Sequence, residues 1–279
     1  MAATVQPVSR WYVTREAAKR FFMAVSTITD KDARIDMLIA MASRAIENYT
    51  GRRFIPWTGT KEYDFQGSDW LVLGDDLLST APTIKYNNVG TTVAAGDYFL
   101  YPLNAADDQK PYTQVQLLTT SDFFSYNDTP QADISVTGKW GYSEITRLMT
   151  TSNEVMDTTE TGFDLTSGTD IEIGMTLLVE SEQMFVQNVA TNTATVVRGV
   201  NGTTAATHVT ATDVYAIYAP PDIQAACAAL VARSLHRGDA SWSDRIGIGE
   251  SSTTFRAEMP AEVRALLIQY RRMVFVGVI

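Results

Sequence analysis

The chain has 279 residues, of which 45% are hydrophobic and 19% are charged; this composition excludes wholesale disorder and allows one large domain or two small ones. Its net charge of −10 argues against a protein whose main task is to grip DNA or an anionic membrane, because such binding needs clustered lysine and arginine. The single cysteine, Cys227, excludes an intramolecular disulfide and a cysteine-rich zinc site. No window approaches the about 18 apolar residues of a membrane span, and no signal peptide is visible, so we expect a protein that is neither inserted in a membrane nor exported.

Two helices are predicted near the start of the chain. A short one is predicted to begin near Thr14, where alanine and phenylalanine recur on one side of the segment. In TDKDARIDMLIAMASRAIENYTGRRF the apolar residues lie three and four apart, which predicts a long amphipathic helix. Thr29 and Asp32 resemble a capping box at its start, and Gly51 supplies a C-terminal stop.

From Lys61 to Ser143 the apolar period changes to two, which indicates β-structure. Short runs rich in β-branched and aromatic residues are separated by Gly, Pro, Asn and Asp, as in an antiparallel sheet. In the last run Ile134, Val136 and Trp140 share one parity, as a half-buried strand requires. The predicted strand segments are KEYDF, WLVLG, TIKYNN, YFLYP, VQLL and ADISVTGKWGYS.

A second β region is predicted after a threonine-rich stretch, with about five strands between Ile171 and Tyr218. Residues 148–218 hold nine acidic residues and one cation, Arg198. We predict that Arg198 pairs with Glu180 or Glu182 on a neighbouring strand, and that the Asn-Gly pair at 201–202 turns a tight hairpin.

The C-terminal part is predicted to contain two further helices, in PPDIQAACAALVARSLHRGD and PAEVRALLIQYRR, each beginning with proline. They are joined by a loop of about twenty residues without periodicity. Helices at both ends of the chain favour an α+β fold, a helical bundle with a small antiparallel sheet, plus an inserted all-β module. In this division residues 1–147 and 219–279 form a discontinuous core, and residues 148–218 form an inserted acidic β-barrel or sandwich.

The sequence shows no constellation that predicts catalysis, a metal or a cofactor. The only histidines, His208 and His236, are not at ligand spacing, and Cys227 lies among alanines in a predicted helix, where a buried inert thiol is expected. Two adjacent aspartate pairs, 75–76 and 107–108, are interpreted as solvated surface, with calcium binding as the alternative. We therefore predict that the protein is not an enzyme.

The order of these segments resembles the head-to-tail connector (adaptor, or head-completion) proteins of tailed bacteriophages. The resemblance covers both flanks of the chain and is carried by DARIDMLIAMASRAIENYTGRRFIP, YDF, LVLGDDLL, GDYFLYP, ISVTGKWGYS, PPDIQAACAALVARSLHRGD, RAEMPAEV and LLIQYRR. In that family a helical bundle and a small sheet form one subunit of a ring, as a rule of twelve copies. The segment ESEQMFVQNVATNTATVVRGVNGTTAATH is similar to small β modules of other phage structural proteins, and the usual adaptor lacks so large an insertion.

The resemblance implies a structural virion protein of the neck, assembled in the host cytoplasm, without a cofactor or a membrane partner. Its ring would dock beneath the portal protein, extend the DNA channel and offer a surface to a stopper or tail-completion protein. Genomic DNA would pass through without sequence-specific binding, and an acidic protein suits a channel that repels phosphate.

An exposed apolar segment is costly in water unless a partner covers it, so the C-terminal residues are the predicted contact with the portal or a neighbouring subunit. They are Arg271, Arg272, Met273, Val274, Phe275, Val276, Val278 and Ile279. The long loop is a second predicted contact, through Trp242, Arg245, Ile246 and Phe255.

The alternative function is decoration of the virion or recognition of a host glycan by the β module of residues 148–218. Such binding needs exposed aromatic rings. The large aromatic residues of this segment are Phe163, Phe185, Tyr215 and Tyr218.

Overall fold

The computed structural model describes residues 10–22, 29–87, 90–118, 124–126, 128–239, 245–246, 253–254 and 259–272. The chain divides into two compact units. The first unit comprises Met1–Arg52, Ile145–Val200 and Thr204–Ile279, and the second comprises Arg53–Glu144 and Asn201–Thr203. The predicted core (residues 1–147 and 219–279) and inserted module (residues 148–218) were defined as segments that fold independently. The two compact units do not test independent folding, so this division stays a prediction.

The predicted fold class, a helical bundle with a small sheet, is wrong. In the described part of the chain, antiparallel sheets of seven and six strands hold more residues than the four α-helices. Two of these helices have 19 residues, and the others have only seven and eight. The physical reason is that each sheet covers its own apolar cluster, so each is a full core layer and not an appendage of the helices.

The four predicted helices all form in the first unit. They are α1 (Arg15–Phe22), α2 (Asp32–Thr50), α3 (Pro221–Asp239) and α4 (Ala261–Leu267), and a 3₁₀ turn (Ile268–Tyr270) continues α4. Thr14 caps α1 by accepting the Ala17 N–H at 3.1 Å. Gly51 ends α2 in the left-handed region, at a φ of 68°. The predicted capping box is wrong, because the N-cap of α2 is Lys31 and no side chain bonds there.

The helices pack around α3, which contacts α1, α2 and α4. Its alanine-rich surface lets α2 approach closely, and the Ser43 Oγ lies 3.6 Å from the Cys227 Sγ. The apolar stripe of α2 is buried, as its periodicity predicts, with Ile35 and Ile39 fully enclosed.

The second unit contains the predicted antiparallel sheet. Its strands are β1 (Trp57–Tyr63), β2 (Trp70–Leu77), β3 (Thr83–Tyr86), β4 (Thr91–Thr92), β5 (Tyr98–Tyr101), β6 (Tyr112–Leu117) and β7 (Ile134–Trp140). They lie in the order β4-β3-β7-β2-β6-β5, and β1 also pairs with β7. The predicted inward parity of β7 is confirmed, because Ile134, Val136 and Trp140 are buried. The Trp140 ring stacks on Trp57 at 6.2 Å between centroids, and its Nε1 donates to the Gly59 carbonyl at 2.9 Å.

The second β region also forms a sheet, which belongs to the first unit. Its strands are β8 (Ile145–Thr151), β9 (Gly162–Asp164), β10 (Thr176–Val179), β11 (Glu182–Ala190), β12 (Thr193–Val197) and β13 (Asp213–Tyr218), in the order β8-β13-β10-β11-β12-β9. Prediction from sequence missed β8, which overlaps the start of the polar threonine-rich stretch, and β9, which lies within it. Two further strands of two residues each, β14 (Arg245–Ile246) and β15 (Thr253–Thr254), pair with each other.

The tight hairpin predicted at 201–202 is wrong. Strand β12 pairs with β11 and β9, whereas β13 pairs with β10 and β8, so the Asn-Gly pair joins no hairpin. Both residues do take positive φ, 55° at Asn201 and 78° at Gly202, within a 3₁₀ turn. The preference of the Asn-Gly pair for positive φ is confirmed, but the pair lies in the long connection between β12 and β13.

Candidate functional site

The last described residues are fixed to the C-terminal end of α2. The Arg272 N–H donates to the Thr50 carbonyl at 2.8 Å, and the Arg52 Nε donates to the Tyr270 carbonyl at 2.6 Å. The Arg271 guanidinium lies 5.9 Å from the centre of the Tyr49 ring, a cation–π distance. Residues 270–272 therefore lie beside the end of α2.

Two of the predicted contact residues, the consecutive Arg271 and Arg272, lie in the described part of the chain. Arg271 is exposed, and Arg272 is half-buried. Strand β14 contains the predicted loop residues Arg245 and Ile246, paired with Thr254 and Thr253. The other predicted contact residues lie outside the described residues: Trp242, Phe255, Met273, Val274, Phe275, Val276, Val278 and Ile279.

One face of α2 exposes apolar side chains that prediction from sequence missed. Met37 is 56% exposed and Met41, one turn later, is 54% exposed. Ala33, a turn before Met37, is also exposed. A solvated helix face normally carries charged side chains, and methionine is enriched at adaptable binding surfaces. The signal that could have revealed this face is methionine at spacing i, i+4 outside the apolar stripe.

A buried polar cluster lies in the six-stranded sheet and is centred on Glu182. The Glu182 carboxylate accepts the Arg198 Nε and Nη2, each at 2.7 Å, the backbone N–H of Gly199 at 3.0 Å and that of Ala206 at 2.9 Å. Its Oε2 also lies 2.9 Å from the Nε2 of His208, a fully buried ring. The predicted pairing of Arg198 with a neighbouring acidic residue is confirmed, and the partner is Glu182.

The Glu182 carboxylate is held in its charged form. Burial raises its pKa, but the hydrogen bonds from Arg198, Ala206, His208 and Gly199 together outweigh burial and lower the pKa to about 2. Because so many donors already occupy its two oxygens, this carboxylate is not available as a general base. The cluster fixes the connection between β12 and β13.

A cleft of about 760 Å³ lies within the first unit, between the start of α1 and the six-stranded sheet. Glu172 lies on its wall, accepts a hydrogen bond from the Thr14 hydroxyl, and pairs with Arg20 at 2.8 Å. Burial raises the pKa of Tyr218, which also lines the cleft. Among the described residues, the lining contains no histidine, cysteine, lysine or serine that could belong to a nucleophile–base pair of the usual kinds.

Metal and thiol chemistry find no support in the described ranges. No group of three or more His, Cys, Asp or Glu side chains that could hold a metal occurs among these residues. Burial raises the pKa of the Cys227 thiol to about 12, as expected for an inert core cysteine. The interpretation of aspartates 75–76 as solvated surface is wrong: Asp76 is fully enclosed, and Asp75 is nearly so and pairs with Lys61.

The comparisons with known proteins identify no family. No family model matches the chain, and no curated protein is significantly similar to it. Within the described residues, no helix is long and apolar enough to cross a membrane.

Proposed function

We propose that this chain is the subunit of a head-to-tail adaptor ring of a tailed bacteriophage, located in the neck of the virion. Twelve copies would dock beneath the portal protein, extend the DNA channel and present a surface to a stopper or tail-completion protein. The order of sequence segments on both flanks of the chain supports this proposal. Its fold differs from the one that the resemblance implies, so the proposal rests on the order of the sequence segments and on the surfaces described below, and not on the architecture.

The observation that carries the proposal is the exposed apolar face of α2. Met37 and Met41 each leave more than half of their side chain in water, on a helix whose opposite face is fully packed. Covering apolar area stabilises an assembly by about 25 cal/mol per Å². A subunit that binds copies of itself through α2 would expose this apolar face before assembly.

The anchoring of residues 270–272 at the end of α2 is the second support. Residues 273–279, MVFVGVI, have no charged side chain, and in the sequence they directly follow Arg272, which is held at the end of α2. Ile268, in the 3₁₀ turn of the same part of the chain, is 64% exposed. An apolar segment that leaves a rigid anchor can add a strand to a partner or insert between its subunits.

Mass photometry of the purified protein, alone and mixed with portal rings from the same source, tests the proposal. We expect the portal peak to shift by about twelve subunit masses. A protein that stays monomeric and leaves the portal peak unchanged would contradict the adaptor function.

Two variants test separately the contact between subunits and the contact with the portal. Met37→Lys with Met41→Lys should abolish the ring, because two charges would be buried between subunits. The control Val155→Lys introduces a charge at an apolar side chain that is 68% exposed and lies outside α2, and this variant should assemble normally. Deletion of residues 273–279 should abolish binding to the portal. Unaltered portal binding by the deletion variant would show that this segment is not the contact.

DNA should pass through the ring without being held. The acidic chain repels phosphate, so we expect no salt-sensitive retention of duplex DNA by the assembled ring in a filter-binding assay. Tight retention that weakens with salt would contradict a passive channel.

The alternative, glycan binding or decoration by residues 148–218, has less support. Phe163 and Phe185 are buried in the first unit, which leaves only two of the four large aromatic residues partly accessible. The excised segment on a glycan array would test this alternative directly.

A further inference from the structure

The seven-stranded sheet of the second unit has an outward face that is rich in aromatic and amide side chains. Strands β2, β6 and β5 are neighbours, and their register places side chains in two rows across them. One row is Trp70, Gln116 and Phe99, and the next is Val72, Gln114 and Tyr101. We call these six residues the aromatic platform.

The platform is exposed, whereas the opposite face of the same strands is core. Trp70 is 38% exposed, Phe99 47% and Val72 55%, while the alternate residues Leu71 and Val115 are buried. None of the six side chains carries a charge, although the whole chain has a net charge of −10. An exposed sheet face normally carries charged or small polar side chains, so this composition calls for a ligand.

Contacts within the platform hold its side chains in place. The rings of Trp70 and Tyr101 lie 4.8 Å apart between centroids, with 42° between their planes. The Tyr101 hydroxyl donates to the Gln116 Oε1 at 3.0 Å, which directs the amide so that its nitrogen is left to donate elsewhere. The Ser68 Oγ accepts the Trp70 backbone N–H at 3.1 Å, which fixes the start of β2.

We infer that the aromatic platform is a binding site for a neutral carbohydrate chain. The C–H faces of a sugar ring stack on the electron-rich faces of Trp70 and Phe99. Sugar hydroxyls need partners that both donate and accept, and the amides of Gln114 and Gln116 lie between the aromatic strands to supply them. This inference is independent of the ring assembly and goes beyond it.

The absence of charged side chains from the platform argues against other classes of ligand. Nucleic acid bases also stack on aromatic rings, but single-strand binding needs lysine or arginine for the phosphates, and the platform has neither. A sulfated or phosphorylated glycan needs the same cations. A neutral ligand is therefore the complement of this surface.

The size of the platform favours a short sugar chain over a protein. The three strands span about 10 Å, and the two rows lie about 7 Å apart. A stable protein contact covers about 800 Å² on each partner, which is much more than this face offers. The aromatic residues of the other sheet do not form an equivalent surface, because Phe163 and Phe185 are buried there.

The test uses the full-length protein on an array of neutral glycans, with hexasaccharides of glucose and of N-acetylglucosamine then titrated by calorimetry. We expect at least one of these neutral probes to bind. Trp70→Ala and Phe99→Ala should each weaken that binding at least about tenfold, and Gln116→Leu should also weaken it, because leucine keeps the volume and loses the amide. The control Val209→Ala removes another exposed apolar side chain, 65% exposed and in the other unit, and should bind as the parent does.

Three outcomes would overturn the inference. The first is the absence of binding to any neutral probe at millimolar concentration, and the second is binding that Trp70→Ala and Phe99→Ala leave unchanged. The third is glycan binding that Gln116→Leu leaves unchanged or strengthens, which would show that the amide does not hold the sugar. Melting curves of the variants should match the parent, since the three side chains lie on the outer face. The ring assay by mass photometry is scored separately, so failure of the carbohydrate site and failure of the adaptor function are distinguishable.

Discussion

The two large sheets place polar and apolar side chains in opposite ways. The six-stranded sheet of the first unit encloses a charged cluster, Glu182 with Arg198, in which both side chains are almost completely buried. The seven-stranded sheet of the second unit encloses Trp140 and exposes Trp70 and Phe99 on its outer face. A buried charge must be fully hydrogen-bonded where it lies, whereas an exposed ring keeps its contact surface free.

This difference separates residues that hold the fold from residues that are free to bind. Every polar group around Glu182 is engaged in holding one connection, so the cluster contributes to stability and offers no site. The outer rings of the second unit contribute little to their own sheet, so their presence on its surface needs another explanation. The effects of mutation should follow this division.

The largest effect is expected when an inner tryptophan is compared with an outer one. Trp140→Ala should lower the free energy of unfolding of the second unit by about 4 kcal/mol, because it leaves a cavity and removes the bond to Gly59. Trp70→Ala should change it by less than about 0.5 kcal/mol. Urea denaturation followed by circular dichroism measures both, and equal effects would show that the outer face is part of the fold.

The buried cluster gives the next largest effect. Glu182→Gln should destabilise the first unit by about 3 kcal/mol, because Arg198 keeps its charge and loses its carboxylate. The matched control is Glu180→Gln, at a side chain that is 57% exposed and contacts the other nitrogen of His208. Its effect should stay below about 1 kcal/mol. Calorimetric melting of both variants makes the comparison, and a mild effect of Glu182→Gln would mean that water replaces the lost bonds.

The same cluster should make the first unit sensitive to acid. The pKa of Glu182 is lowered from 4.5 to about 2 in the folded protein, so the folded state binds its proton less readily than the unfolded chain does. The stabilisation is fully present above pH 4.5 and is lost as the pH falls towards 2. Urea denaturation at a series of pH values should show this loss in the parent and a smaller one in Glu182→Gln. Identical pH profiles would assign the acid sensitivity to other carboxylates.

The smallest difference in stability is expected between substitutions of one glycine from each unit. Gly51→Ala should cost about 1 kcal/mol, because Gly51 closes α2 at a φ of 68°. Gly74→Ala, on the outer side of β2 with open space around it, should change stability by less than about 0.5 kcal/mol. Thermal melting resolves this difference, and an equal cost at both positions would argue that α2 can end without a left-handed residue.

Helices and sheet strands were predictable where a single period runs through a segment. The stripe of α2, its stop at Gly51 and the inward parity of β7 depend on local spacing alone, and all three are confirmed. The fold class was not predictable in this way, because the number of layers depends on which strands share a core. Strand β8 shows why local spacing is not enough. It lies in a largely polar segment, and its partner strand β13 is about 70 residues later in the chain.

The candidate surfaces were predictable only in part. The pairing of Arg198 followed from its being the one cation of an acidic segment, whereas the exact partner needed the sheet order. Met37 and Met41 lie outside the apolar stripe, so helical periodicity does not predict an apolar contact there. The aromatic platform needed the register of three strands that are separated in sequence, because Trp70 and Tyr101 meet only after β2, β6 and β5 have paired.

The enclosed position of Cys227 has a practical consequence. It is the only cysteine of the chain, it is fully buried, and its thiol stays protonated at neutral pH. The folded protein therefore lacks a reactive thiol, so a cysteine placed at any exposed position would take up a dye or spin label at that position alone. Labels in α2 and on the outer face of β2 would then report ring assembly and sugar binding in the same sample, without prior removal of the native cysteine.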